Sequence, residues 1–320
     1  MMKRQLYLFL LLAMLLASCQ SKRALVVADL QKRSGTALHL DKLNGRVRLY
    51  MPDTLLVTSS KHGLSSRYKE ISRVRNYNFY HRDVPAAFEG FRIAFISDLH
   101  YKSLFKEKGL RSLVRLLNDE HIDALLMGGD YQEGCQYVEP LVSSLSQVKT
   151  TIGTYAVMGN NDYERCHDLI VSEMESHGIR VLEHQLDTLK RGGEQIIIAG
   201  VRDPFNLKQN GVSPTLALSP NDFVILLTHT PDYVEDVPVT NTDLALAGHT
   251  HGGQVTLFGY APVLPSHYKQ RFRTGLKTNS ARIPIIITNG IGTSRKKVRL
   301  FAPSEVVIIT LHCFPSVHLR

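Results

Sequence analysis

The sequence predicts an α/β protein in which two sheets pack as a sandwich, preceded by a small basic N-terminal arm that contains strands. Short apolar runs alternate with amphipathic segments from residue 91 onward, a pattern typical of parallel strands joined by helices. Apolar runs then crowd together late in the chain, which indicates a second sheet packed on the first. The 320 residues are 43% apolar and 21% charged, a globular composition that excludes disorder and coiled coil.

The N-terminal arm is predicted to hold a hairpin and one further strand. Residues 37–40 and 46–50 alternate around Asn44-Gly45, a dipeptide typical of tight turns between antiparallel strands. Residues 73–80 alternate in the same way and are predicted to form a strand ahead of the main domain.

The main domain is predicted to begin with a buried strand at 91–96. A helix follows it, because Leu110, Leu113 and Leu117 recur at helical spacing. The remaining predicted elements are helices at 138–148 and 163–177 and strands at 124–127, 154–158, 195–199, 223–228, 244–247, 283–288 and 306–311.

Residues 1–19 are predicted to be a lipoprotein signal peptide. An apolar run at 6–17 follows Lys3 and Arg4, and it is shorter than the roughly 20 residues that span a bilayer. The ending Leu16-Ala17-Ser18-Cys19 resembles the bacterial lipobox, in which the cysteine is acylated. We therefore expect export and a lipid anchor on Cys19 at the periplasm-facing cell envelope, in either membrane. An ordinary signal peptide is the alternative.

The net charge of +9 is concentrated ahead of the main domain. Residues 20–90, a basic tether followed by the N-terminal strands, hold 13 Lys and Arg against 6 Asp and Glu, whereas 91–320, the predicted catalytic domain, hold 23 of each. A neutral domain on a basic arm fits an anionic membrane surface better than nucleic acid, which would require basic surface on the domain itself. We expect no nucleic-acid partner and a monomer.

Polar side chains follow five of the predicted strands, at the carboxyl ends where the reactive groups of parallel sheets gather. They are Asp98, His100, Asp130, Asn160, Asn161, Asp162, His229, His249 and His251. In extended backbone, the two members of Asp98-x-His100 or of His249-x-His251 would point the same way and flank a metal ion. Mixed His, Asp and Asn donors suit Mn, Fe or Zn. Even seven of these nine residues would be too many ligands for one ion with an open position, which indicates two ions that share a carboxylate.

The motifs resemble, in this order, those of the calcineurin-like metallophosphoesterases, which have a two-sheet α/β sandwich and a two-metal site. The matching motifs are Asp98-x-His100, Gly129-Asp130, Gly159-Asn160, His229 and Gly248-His249-x-His251. A further similarity, to the family's bacterial membrane-associated phosphodiesterase branch, lies in Gly252-Gly253-Gln254, Gly290-Ile291-Gly292-Thr293-Ser294 and Pro303-Ser304-Glu305. Together these similarities cover about residues 75 to 311.

The resemblance implies a ligand set and an activity. Asp98, His100 and His251 would hold one divalent transition-metal ion. Asn160, His229 and His249 would hold the other, and Asp130 would bridge both. Asp130, Asn161 and His249 are the predicted catalytic residues. The implied reaction is hydrolysis of a phosphodiester or phosphomonoester by metal-activated hydroxide, and a lipid head group is one candidate for the substrate.

Asn161 departs from the family's common pattern, which has a histidine there. A carboxamide donates a hydrogen bond but has no acid for the leaving group. That loss typically costs about 10²–10⁴-fold for a basic alkoxide and far less for a phosphate. One alternative is therefore a lipid-linked diphosphate hydrolase resembling UDP-2,3-diacylglucosamine pyrophosphatase of lipid A biosynthesis, although its cytosolic substrate conflicts with export. Another is a catalytically inactive envelope lipoprotein of the same fold.

Three further features of the sequence carry weaker signals. Cys135 and Cys166 follow the second and third strands of the main domain and can pair in an oxidising compartment, but the sequence leaves the pairing open. Gly290-x-Gly292 is interpreted as a tight turn after a strand. The cations Arg295, Lys296, Lys297 and Arg299 either form a solvated turn or bind substrate phosphate.

Overall fold

The computed structural model describes residues 39–43, 46–51, 54–63, 71–202 and 211–314. The predicted signal peptide with Cys19, the tether at 20–35 and the Asn44-Gly45 turn lie outside the described residues. Within those ranges, no helix is both long enough and apolar enough to cross a bilayer.

Fifteen strands and five α-helices make up the described part of the chain. The strands are β1 (His39–Leu43), β2 (Arg46–Met51), β3 (Leu55–Gly63), β4 (Arg73–His81), β5 (Arg92–Ile96), β6 (Ala124–Met127), β7 (Gly153–Ala156), β8 (Ile179–Val181), β9 (Gln185–Arg191), β10 (Glu194–Gly200), β11 (Val224–Leu227), β12 (Leu244–Ala247), β13 (Gly275–Thr278), β14 (Pro284–Ile287) and β15 (Glu305–Cys313). The helices are α1 (Glu107–Asp119), α2 (Val138–Leu145), α3 (Asn160–Glu164), α4 (His167–Ser176) and α5 (Tyr233–Asp236).

The described strands form two sheets. The first has the order β1-β2-β3-β4-β15-β5-β6-β7-β8, and the second has the order β13-β14-β12-β11-β10-β9. Strands β5 to β8 pair in parallel, as do β10, β11, β12 and β14. The predicted two-sheet α/β class is confirmed.

The N-terminal strands are built into the first sheet. β1 and β2 form the predicted antiparallel hairpin. β4 pairs in parallel with β15 over nine residues, and β15 pairs in turn with β5. Strands on both sides of residue 90 therefore share one sheet. The domain boundary placed there stays a prediction.

Alternation along the central strands produces two apolar layers. Ile93 and Phe95 of β5 face the second sheet and pack in the core that also holds Ile196 of β10. Ala94 and Ile96 face the opposite side, where helices α1, α2 and α4 cover the first sheet. The apolar core between the sheets therefore holds their strand ends at a common edge.

The structure differs from the predicted elements in two respects. The prediction of a single helix at 163–177 is wrong. The chain instead forms α3 and α4, because Cys166 between them has a left-handed backbone (φ 69°) and is bonded to Cys135. The disulfide that the sequence left open is thus formed. Strands β3, β8, β9 and β13 and the short helix α5 were not predicted.

Candidate metal centre

The seven predicted ligands lie together at the edge where the carboxyl ends of both sheets meet. Two groups of donor atoms form there, and within each group all the atoms lie within 4.8 Å of one another. The first consists of Asp98, His100, Asp130 and His251, and the second consists of Asp130, His229 and His249. Asp130 belongs to both groups, as expected of a bridging ligand.

The first group joins the two sheets through short contacts. His100 Nε2 lies 3.2 Å from His251 Nε2 and 3.3 Å from Asp130 Oδ2. His251 Nε2 lies 3.4 Å from Asp98 Oδ1. The imidazole nitrogens and carboxylate oxygens therefore converge on one small volume.

The second group has the same character. His229 Nε2 lies 3.0 Å from His249 Nδ1 and 3.6 Å from Asp130 Oδ2. The Oδ1 atom of Asn160, which the family resemblance assigns to this ion, lies 3.2 Å from the same His229 nitrogen. Three side-chain types thus offer a mixed nitrogen and oxygen donor set.

Two histidines are oriented by hydrogen bonds on their outer nitrogens. His229 Nδ1 lies 2.7 Å from the Gly128 carbonyl oxygen, which can only accept, so Nδ1 carries the proton and Nε2 presents its lone pair to the donor group. His100 Nδ1 lies 2.7 Å from Glu133 Oε1. Such outer partners fix the tautomer of histidines that bind metal. The residues therefore fit a pair of transition-metal ions.

The protonation states of Asp130 and His249 fit metal binding at neutral pH, whereas that of His100 opposes it. Burial, reinforced by His229, lowers the pKa of His249 to about 3. Burial opposes ionisation of Asp130, but His229 and His100 outweigh it and hold its pKa well below the usual range. Burial likewise disfavours the charged form of His100, yet hydrogen bonds to Asp130 and Glu133 raise its pKa to about 10. At neutral pH, the shared carboxylate is ionised and His249 is neutral, the forms that bind cations. His100 is protonated at that pH, so an ion bound there would displace its proton.

The expectation of extended backbone at the paired ligands is wrong. Asp98 and His100 have φ values of 53° and 38°, and His249 and His251 have values of 67° and 52°. Left-handed residues turn the chain sharply, and each pair converges through these turns rather than through the two-residue repeat of a strand. Such conformations cost on the order of 1 kcal/mol or more each in a non-glycine residue, and they cluster at functional sites.

Close backbone approach brings the loops together. Gly129 has a φ of 91°, and a Cβ atom there would lie 2.4 Å from the Gly159 nitrogen. The Gly290-x-Gly292 turn packs beside Asp98, and a Cβ atom on Gly292 would lie 2.0 Å from the Leu99 carbonyl oxygen. No larger residue fits at Gly129 or Gly292 without moving a ligand-bearing loop.

Asp162 joins two of the ligand loops. Its buried carboxylate accepts hydrogen bonds from the backbone nitrogens of Asp130 (2.7 Å), Tyr131 (3.0 Å) and Gly159 (2.8 Å). Asp162 is predicted to follow a strand, but no role is predicted for it. Its position directly after Gly159-Asn160-Asn161 is the sequence feature that could have indicated this role.

Glu133 and Arg299 are further residues whose contribution the sequence did not reveal. Glu133 contacts His100, and no motif marks it. Arg299 donates to the carbonyl oxygens of His251 (3.3 Å) and Gly292 (2.9 Å) and so braces the histidine loop. Its neighbours Arg295, Lys296 and Lys297 are exposed.

Asn161 lies half-buried beside the first group, with its Nδ2 atom 3.2 Å from His100 Nδ1. Its backbone nitrogen donates to Asp130 Oδ1 at 2.9 Å. Nearby, Tyr163 and His167 both contact Glu183, at 2.5 and 3.0 Å. Asn161 thus contacts a predicted ligand, His100.

Comparison with known proteins agrees with this geometry. A family model described as calcineurin-like phosphoesterase matches residues 91–253, about half of the chain. The metallophosphoesterase YkuE of Bacillus subtilis is 29% identical over 235 residues, which cover 71% of this chain and 81% of YkuE. The phosphodiesterase YaeI of Escherichia coli is 32% identical over 231 residues, 69% of this chain and 82% of YaeI. A Helicobacter pylori metallophosphoesterase is 30% identical over 69% of this chain, which spans only 59% of that relative.

Proposed function

This chain belongs to the calcineurin-like phosphoesterase family of metal-dependent hydrolases, and from this premise we propose that it cleaves phosphodiester or phosphomonoester bonds at a membrane surface. The observation that carries the proposal is the membership of Asp130 in both donor groups. Two divalent ions, Mn, Fe or Zn, match this donor set. When bound, they supply Lewis-acid polarisation of a phosphoryl group and lower the pKa of a water molecule towards neutrality.

The residues of the site would have three roles: binding the ions, orienting the histidines and binding the substrate. Asp98, His100 and His251 would hold one ion and Asn160, His229 and His249 the other, with Asp130 common to both. Glu133 and the Gly128 carbonyl would keep His100 and His229 in the ligating tautomer. The carboxamide of Asn161 would donate a hydrogen bond to a phosphoryl oxygen.

Substitution of the shared carboxylate tests the two-ion proposal. Asp130→Asn should bind fewer than two equivalents of metal and lose most hydrolysis of an aryl phosphodiester, because both ions lose a charged ligand. Asp168→Asn, which changes an exposed carboxylate, is the matched control. Elemental analysis and initial rates on metal-reconstituted protein measure both effects. Near-wild-type hydrolysis by Asp130→Asn would contradict the proposal.

A phosphoanhydride, such as a lipid-linked diphosphate, is the second candidate substrate, and Asn161 favours it. A carboxamide cannot protonate a departing alkoxide, whereas a departing phosphate carries its own charge. Aryl esters and anhydrides should therefore react much faster than alkyl esters.

The reciprocal variant Asn161→His should raise alkyl-ester turnover by roughly 10²-fold and change anhydride turnover by only a few fold. The pH–rate profile of this variant should also gain a limb near the pKa of an imidazole. Measurement of kcat/KM across a leaving-group series for both proteins checks all three effects. A wild-type rate that is indifferent to leaving-group pKa would remove the support that Asn161 gives to the anhydride.

We further propose that the enzyme is an exported lipoprotein anchored through Cys19, with the basic segment 20–90 against anionic lipid. The lipobox and the excess of cations there support this. Mass spectrometry of the mature N-terminus and membrane fractionation test the anchor, since Cys19→Ala should lose acylation and leave the membrane fraction. A Cys19→Ala protein that stays membrane-bound with unchanged acylation would refute the assignment.

A further inference from the structure

Two loops beside the metal centre expose large apolar side chains, which proteins usually bury. The exposed residues, here called the loop surface, are Leu257, Phe258, Tyr260 and Val263 from one loop and Val298, Leu300 and Phe301 from the other. Phe258 is fully exposed and Phe301 is 72% exposed. Contiguous exposed patches of this kind mark interaction sites rather than ordinary surface.

The two loops form one surface. The Thr256 nitrogen donates to the Leu300 carbonyl oxygen at 2.9 Å, and Thr256 Oγ1 donates to the Phe301 carbonyl oxygen at 3.1 Å. A tight turn joined by paired Leu257 and Tyr260 backbone hydrogen bonds then carries Phe258 at its tip. The apolar side chains are thus presented by a hydrogen-bonded pair of loops.

The loop surface is braced directly against the candidate metal centre. Arg299, between Val298 and Leu300, donates to the carbonyl oxygen of His251, which belongs to the first donor group. Gln254, which follows the histidine loop, contacts the Ser294 backbone through both ends of its carboxamide, at 2.7 and 3.1 Å. Whatever binds the loop surface therefore lies next to the metal centre.

The charge around the loop surface indicates what binds there. Residues 244–304 contain no Asp or Glu, but they contain Lys269, Arg271, Arg273, Lys277, Arg282, Arg295, Lys296, Lys297 and Arg299. Of these, Arg295, Lys296 and Lys297 are exposed in the same loop as Phe301. Apolar tips flanked by cations match the acyl boundary and the anionic head groups of a bilayer, with about 1 kcal/mol from each Lys or Arg near the surface.

We propose that the loop surface inserts into the interfacial region of an anionic bilayer and presents the metal centre to lipid head groups. This contact is separate from the acyl anchor proposed at Cys19 and from the basic segment 20–90, and it does not depend on hydrolysis. An anchor alone would leave the orientation of the domain free. Insertion at the loop surface would fix the catalytic edge against the membrane.

The absence of tryptophan from the chain allows a direct test. Phe258→Trp and Phe301→Trp, each made in the full-length protein, place a single tryptophan on the loop surface. Leu186→Trp, at a 41% exposed position in the edge strand β9 of the second sheet, is the matched control. Vesicles of phosphatidylcholine with phosphatidylglycerol, containing acyl-brominated lipid as quencher, report insertion with EDTA present, so the readout is independent of activity.

We expect at least twofold quenching and a blue shift for both loop variants and little change for the Leu186→Trp control. Adding Lys296→Gln and Lys297→Gln, or raising the salt concentration, should weaken the quenching, whereas Lys149→Gln with Lys190→Gln should not. Unquenched loop variants, equal quenching of the control, or equal quenching in purely zwitterionic vesicles would overturn the proposal. So would a blue shift without lipid that grows with protein concentration, since a second copy would then cover the surface.

Discussion

Glu305 begins β15 and forms a buried charge cluster whose disruption should weaken both the fold and the metal centre. Its carboxylate is fully buried and lies 2.6 Å from Arg73 and 3.1 Å from Arg75, both on the neighbouring strand β4. It also accepts a hydrogen bond from the Asn289 nitrogen at 2.9 Å. Burial opposes its ionisation, but Arg75 and Arg73 outweigh burial and lower its pKa.

Glu305→Gln keeps the size of the side chain and removes its charge, and we expect it to destabilise the protein by about 3 to 5 kcal/mol. That is the usual cost of removing one partner from a buried ion pair, since Arg75 is only 5% exposed and would remain charged. The effect is a large fraction of a typical stability of about 5–15 kcal/mol. Because the folded-state pKa of Glu305 is lowered, its ionised carboxylate stabilises the fold above the ordinary glutamate pKa. This stabilisation is lost as pH falls below that value.

Urea unfolding in EDTA at pH 8 measures the loss of stability without a contribution from metal. Glu139→Gln, an exposed substitution on α2, is the control and should change the free energy of unfolding by less than about 0.5 kcal/mol. Metal affinity should also fall. Glu305 holds the Asn289 backbone, and three residues later the Gly292 nitrogen donates to the carbonyl oxygen of the predicted ligand Asp98 at 2.7 Å. A Glu305→Gln protein as stable as wild type at pH 8 would refute the reasoning.

Three further predictions concern other parts of the chain. Replacing both Cys135 and Cys166 by Ser should lower the free energy of unfolding by about 3 to 4 kcal/mol, given a sequence separation of 31 residues, as measured in urea without reductant. Asp162→Asn should weaken metal binding by roughly 10- to 100-fold in a competitive chelator titration, because one of its three backbone hydrogen bonds loses its acceptor. Burial raises the pKa of Asp243 to about 7, so ionisation destabilises the fold as pH rises from about 4 to 7. Asp243→Asn should therefore gain stability relative to wild type across that interval by up to about 4 kcal/mol in urea unfolding, and a constant difference would contradict this.

The central strands were predictable because they are buried on both faces. A parallel strand covered on both sides is a short apolar run, and β6 and β12 have the predicted bounds. β9 has the opposite character. It is an edge strand with mostly polar, exposed residues and two apolar ones, Leu186 and Leu189, so its sequence carries little apolar signal. Its partner β10 determines its conformation through antiparallel pairing.

The ligand positions could be predicted, but the backbone that presents them could not. Asp98, Asp130 and His249 follow strands, and the strand-end rule suffices to bring them to one edge. Their left-handed conformations arise from contacts between loops that are distant in sequence. For example, the His249 nitrogen donates to both carboxylate oxygens of Asp98, at 3.1 and 3.0 Å. No local propensity encodes such a contact.

The same contacts imply that metal binding and the packing of the two sheets are coupled. Asp98 and Asp130 extend from the first sheet and His229 and His249 from the second, so the donor groups lie across the boundary between the layers. Elsewhere a large apolar cluster fills much of that boundary. At this edge, buried carboxylates and imidazoles lie against one another, and bound cations would offset the electrostatic cost of burying the carboxylates. Ions that bind only the folded arrangement contribute their binding free energy to folding, so the catalytic edge is also where metal would stabilise the sandwich.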